Sequence, residues 1–194
     1  MTERKIIAVT DRKLCTRPFL EQMERVAVQH PDAILLREKD LPEEEYEKLA
    51  GEVFALCEKH GIELILHSYP AAAEKTGVKK LHLPLEKLRE YRAECGKEKN
   101  RTYDLEVGCS VHSLEEAEEA VQAGAAYLIA GHIYETGCKP GIPPRGLAFF
   151  RENCRATDSP VYAIGGSEPG DGRIEEVRQA GARGACMMSG FMKI

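Results

Sequence analysis

The residue types with the most chemical potential stand together in Gly131-His132-Ile133-Tyr134-Glu135-Thr136-Gly137-Cys138-Lys139-Pro140-Gly141, just after the apolar run Ala125-Ala126-Tyr127-Leu128-Ile129-Ala130. An imidazole can take or give a proton near neutral pH, since its ordinary pKa is about 6.5. Gly131 lets the backbone turn closely around a ligand. Thr136 and Lys139 supply a hydroxyl and an ammonium for an anion. Proton transfer on a phosphorylated substrate, with His132 as acid and base, is the chemistry this set of residues suits.

Two further groups point to anions. Gly165-Gly166-Ser167 and Met188-Ser189-Gly190 each close an apolar run, and small residues there expose backbone N–H groups of the kind that bind phosphate. Gly165, Gly166, Ser189 and Gly190 are the expected phosphate contacts, although such glycines also serve as tight strand exits. Arg37 and Lys39 lie two apart, so in an extended segment both side chains point the same way. They could grip a carboxylate or a diphosphate, or form a surface pair balanced by Glu38 and Asp40.

The elements that must position these groups are short apolar runs separated by longer charged segments. Strands are expected at residues 6–10, 33–36, 63–66, 80–83, 106–109, 126–130, 161–164 and 184–188. Amphipathic helices are expected at 42–60, 114–123 and 173–180, with apolar residues three and four apart. Strands joined through helices run parallel. Eight such units predict a (β/α)8 TIM barrel, a single domain over residues 1–194 with a shortened or missing last helix; an open α/β sheet is the alternative. Only residues 68–78 join the third and fourth strands, enough for a short helix. In a barrel of this kind the catalytic face lies at the C-terminal ends of the strands, where His67-Ser68, His82, Ser110 and His132 all fall. A neighbouring subunit could cover an exposed barrel edge, which makes a homodimer plausible.

Composition excludes several classes. A formal net charge of -5 with scattered Lys and Arg leaves no basic stripe for nucleic acid. Seven cysteines, an odd number without a C-x-x-C pair, favour a reducing cytoplasm. Met1-Thr2-Glu3-Arg4-Lys5 leads into too short an apolar run for a secretion leader, and nothing approaches the roughly 20 apolar residues of a membrane span. His67, His82, His112 and His132 lack the tight His-x-x-x-His or His-Glu-x-x-His spacing of a zinc site, so no metal is expected. His30 and His60 read as charges at helix ends, and Ser113 with Glu116 as a capping box next to His112.

These motifs, taken in order, resemble the thiamine phosphate synthase/TenI family over nearly the whole chain. Ala8-Val9-Thr10-Asp11 looks like its opening strand and Leu36-Arg37-Glu38-Lys39-Asp40 like its R-x-K element. Gly108-Cys109-Ser110-Val111-His112-Ser113 is similar to its fifth-strand motif, and Ala163-Ile164-Gly165-Gly166 and Met188-Ser189-Gly190 to its phosphate-end motifs. The resemblance implies one of two activities. Synthases couple a pyrimidine diphosphate to a thiazole phosphate with Mg2+, whereas TenI-type tautomerases shift a proton in a thiazole carboxylate phosphate and use no cofactor. Where synthases have Asn-Asp after the third strand this chain has His67-Ser68, and where they have an Asp after the fourth it has Lys87. An ammonium in place of a carboxylate repels Mg2+. Gly131 to Lys139 and the downstream Arg145-Gly146 instead look like the tautomerase form, Gly-His-x-x-Glu-Thr-x-Cys-Lys. The expectation is therefore a thiazole tautomerase acting on a phosphorylated thiazole. A synthase with a rearranged metal site is the first alternative, and a non-catalytic thiazole or thiamine phosphate-binding regulator the second.

Overall fold

The structure is a computed structural model and describes residues 5–97 and 105–194. Residues 1–4, where the leader reading begins, lie outside that range. Eight parallel strands close on themselves in sequence order, β1-β2-β3-β4-β5-β6-β7-β8, so the barrel is closed and the open sheet is excluded. The strands are β1 Lys5–Val9, β2 Ala33–Leu36, β3 Glu63–His67, β4 Lys80–Pro84, β5 Glu106–Val111, β6 Tyr127–Gly131, β7 Val161–Ile164 and β8 Gly184–Met187. Between them run α1 Phe19–Val28, α2 Glu43–His60, α3 Pro70–Thr76, α4 Leu85–Lys97, α5 Leu114–Gln122, α6 Gly146–Ala156 and α7 Arg173–Gln179. A four-residue α8, Ser189–Met192, follows β8 and is the shortened last helix that was expected.

Both faces of each strand are covered, which is why these strands read as apolar runs. Ala8, Ile34, Leu64, Leu66, Leu81, Leu128 and Ala185 point outward into a shell shared with the helices. Their neighbours Ile7, Val9, Ala33, Leu35, Ile65, Tyr127, Ile129 and Cys186 fill the barrel. Each large aliphatic side chain so buried contributes about 1.5–3 kcal/mol. Helix ends follow local chemistry: α2 opens with Glu43, Glu44 and Glu45 and closes with Lys59 and His60, charges that suit the helix dipole at each end. His60 also meets Glu24 of α1 at 2.8 Å.

Four strands run further than their apolar pattern, β3 to His67, β4 to Pro84, β5 to Val111 and β6 to Gly131. Parallel pairing depends on the backbone, and it continues through His67↔His82 and Pro84↔Ser110 although these side chains are not all apolar. At the opposite, N-terminal mouth Lys80 pairs with Glu63 at 3.2 Å and Glu106 at 3.0 Å. Just inside, the rings of Tyr127 and Tyr162 meet edge to face with centroids 5.8 Å apart. No helix among the described residues is long and apolar enough to cross a membrane.

Candidate active site

The C-terminal ends of the strands surround a cavity of about 310 Å³, within the range of small-molecule sites. Of the residues singled out in the sequence, Arg37, Lys39, His132, Thr136, Lys139, Gly165, Gly166 and Ser189 all line it. Gly190 does not. A Cβ at Gly190 would stand 2.6 Å from Pro169 Cδ, so this glycine lets the start of α8 pack under the β7–α7 loop.

The cationic wall is built by a buried carboxylate. Thr10 Oγ1 accepts from the Arg37 N–H at 2.9 Å and donates to Glu38 Oε1 at 2.7 Å. Glu38 is only 2% exposed and also takes the Arg12 N–H at 3.1 Å and the Arg12 guanidinium at 3.1 Å. Asp40 is held by Arg12 at 2.6 Å and Lys13 at 3.0 Å. The acids offered by sequence as counterions for Arg37 and Lys39 are therefore engaged elsewhere, and the surface-pair reading gives way to a cavity wall. Burial, then the charges of Arg37, Lys139 and Lys87, lower the pKa of the Lys39 ammonium. Three cations, Arg37, Lys39 and Lys139, thus converge on the cavity, with Lys87 near enough to act on Lys39.

Beneath that wall lie two histidines that the sequence placed at strand ends without giving them a role. His82 Nε2 meets Ser110 Oγ at 2.7 Å, and His67 Nδ1 meets Ser68 Oγ at 2.6 Å. Their rings lie 5.8 Å apart, centroid to centroid. Burial and the charges of Lys39 and Arg37 push the His82 pKa down to about 3, and burial with the neighbouring His82 and the same cations lowers that of His67. Both are neutral at pH 7. His112 also lines the cavity, yet its N–H and Nδ1 meet Glu116 Oε2 at 2.6 and 3.2 Å while Ser113 Oγ caps α5 by accepting from the Glu116 N–H at 3.1 Å. The expected cap forms, with the Glu116 carboxylate reaching back one residue further than in the standard box.

His132 stands directly after β6 and is 4% exposed, so it is a buried group. Its chain is stitched to β7: the Ile133 N–H donates to Ile164 O at 2.9 Å and the Tyr134 N–H to Gly165 O at 3.2 Å. Gly165 and Gly166 have φ of +102° and +77°, and a Cβ on either would fall 2.4 Å from His132 Cβ or 2.6 Å from Glu135 O. These glycines thus hold an irregular turn and allow the histidine loop to lie on it. His132 Nε2 lies 3.1 Å from the carbonyl of Ile142 in the β6–α6 loop.

The family profile described as thiamine monophosphate synthase matches residues 6–191. The chain belongs to the thiamine monophosphate synthase (TMP-TENI) family. Relatives include a putative thiamine-phosphate synthase 2 of Aquifex aeolicus, 35% identical over 165 residues that cover 84% of each chain. The thiamine-phosphate synthase of Thermus thermophilus is 33% identical over 167 residues, covering 84% of this chain and 76% of that one. Among solved structures, a thiamine phosphate pyrophosphorylase from Pyrococcus furiosus superposes with a TM-score of 0.80 at 26% identity, over 97% of this chain and 87% of that one.

Synthase chemistry, as the resemblance describes it, places Mg2+ on a diphosphate, and the donor set of this TMP-TENI member does not fit that ion. Asp11 is the one carboxylate among the residues that line the cavity. The end of β3 offers a buried imidazole and the start of α4 offers Lys87, whose ammonium sits 5.3 Å over the Tyr69 ring. A hard dication takes several oxygen ligands, and nitrogen bases flanked by ammonium groups do not supply them.

Proposed function

We propose that this TMP-TENI member is a thiazole tautomerase that aromatises a thiazole carboxylate phosphate. The observation that carries the reading is the company of His132. Its imidazole meets a loop carbonyl and lines a cavity whose other walls include the Gly165-Gly166 turn and the Arg37, Lys39 and Lys139 cations.

In the reaction His132 takes the proton from the ring carbon that bears the carboxylate. The electron pair moves into the ring, and the imidazolium returns a proton to the exocyclic side-chain carbon. One C–H bond breaks and another forms, with no net change in composition. General acid/base catalysis of this kind typically contributes about 10²–10⁴ in rate. Gly165, Gly166 and Ser189 hold the phosphate through backbone N–H groups and a hydroxyl, with Thr136 beside them. Lys139, Arg37 and Lys39 face the carboxylate. His67 and His82, kept neutral, add no competing charge.

The test is conversion of the ylidene thiazole carboxylate phosphate to its aromatic isomer, without added metal and again with chelator. Wild-type protein turns it over in both, and His132→Asn loses at least about a hundredfold in kcat. No turnover by the wild type would reject the reading. The names of the relatives favour a second reading, a thiamine phosphate synthase. Its signature is coupling of a pyrimidine diphosphate to a thiazole phosphate that is lost in chelator and restored by Mg2+.

A further inference from the structure

A carbonyl oxygen can only accept, so the 3.1 Å contact between His132 Nε2 and Ile142 O requires the hydrogen to sit on Nε2. A neutral imidazole carries one N–H, which leaves Nδ1 as the bare, basic nitrogen. Nδ1 is buried and has no hydrogen-bond partner among the described residues. An orphaned buried acceptor is costly, and this one belongs to a side chain that lines the cavity.

The carbonyl is held in place by backbone on both sides. The Ile142 N–H donates to Lys139 O at 3.3 Å, and the Lys139 N–H to Thr136 O at 3.1 Å. Downstream, the Arg145 N–H returns to His132 O at 2.9 Å and the Gly146 N–H to Ile133 O at 3.1 Å. Between these ties lie Pro143 and Pro144, which fix φ, lack N–H groups and restrict the residue before them to extended backbone. The side chain of Ile142 is 57% exposed, so packing does not account for its place.

We propose that the Ile142 carbonyl is the positioning group of the site: it fixes His132 in the Nε2–H tautomer and makes Nδ1 the nitrogen that exchanges the proton with substrate. The inference rests on the acid/base role assigned to His132 above. Nδ1 takes the proton as the substrate C–H bond breaks. The resulting imidazolium keeps its Nε2–H on Ile142 O, a charge-assisted bond stronger than the one in the resting state. The same Nδ1–H then goes to the exocyclic carbon, and the neutral tautomer is restored without a ring flip.

The test uses the full chain labelled with 15N-histidine. Long-range proton–nitrogen spectra at alkaline pH, with the His132 signals identified by their loss in His132→Asn, are expected to show one tautomer, Nε2 protonated and Nδ1 bare. A protonated Nδ1, or signals averaged between two tautomers, would overturn the proposal. In Pro143→Gly/Pro144→Gly the carbonyl is released. The spectra should then show tautomer averaging, and kcat should fall about tenfold with KM within about twofold, the loss of one bond to a charged group. Unchanged spectra and kcat in that variant would also overturn it. Because the wild-type spectrum needs no turnover, absence of tautomerase activity would reject the function proposed above and leave the tautomer assignment standing.

Discussion

Thr10 and Glu38 meet side chain to side chain at 2.7 Å, across strands β1 and β2, with the Thr10 hydroxyl also taking the Arg37 N–H. This link sets the path of the segment that carries Arg37 and Lys39. In Thr10→Val the buried carboxylate loses a donor and the Arg37 N–H an acceptor. A loss of about 2–3 kcal/mol in urea unfolding, with a severalfold rise in KM, is expected. Unchanged stability would show that Arg12 alone is enough to hold Glu38.

Gly165→Ala tests the contact between the β7 turn and the histidine. The new methyl would meet His132 Cβ at 2.4 Å on a backbone at φ +102°. Since both are backbone-bound atoms, neither can swing away. Destabilisation of about 1–3 kcal/mol and a kcat loss of tenfold or more are expected, read by thermal melts and the tautomerase assay.

Acid should weaken the fold through His67 and His82. Unfolded, both imidazoles take a proton near the ordinary value of about 6.5. Folded, His82 takes one only near 3, and His67 is lowered in the same direction. Between those values the unfolded chain binds more protons, so stability rises with pH and falls as pH drops below about 6.5. The slope is about 1.4 kcal/mol per pH unit for each histidine. His82→Gln should remove one such contribution from the pH dependence measured by denaturant unfolding. Parallel curves for wild type and variant would contradict it.

The converging cations should make binding sensitive to salt. Lys39→Met removes one of them, and KM for the phosphorylated substrate should rise about fivefold at low ionic strength, close to 1 kcal/mol. The variant's KM should also climb less steeply with added salt than that of the wild type. Equal slopes would place Lys39 outside the binding field.

The barrel was legible because its strands, covered on both faces, leave apolar runs spaced by helices, and the glycine pairs and His132 stand where those runs stop. The inward side chains of His67, His82 and Ser110 were harder to read as a group, since the pairings His67↔His82 and Pro84↔Ser110 that align them are set by the register of the closed sheet. Glu38 looked like a counterion for its neighbours because its real partners, Thr10 and Arg12, lie 28 and 26 residues away. Gly190 has a packing role that its motif does not reveal, the close approach of Pro169. Ile142 left no trace at all, because what it contributes is a carbonyl that every residue has.

The ion pairs of Lys80 with Glu63 and Glu106, above the crossed rings of Tyr127 and Tyr162, seal the far end of the barrel. The molecule is thus a cup and not a tunnel. Reactant and product share one doorway, each turnover must empty the vessel before the next can fill it, and the product will act as a competitor at the rim.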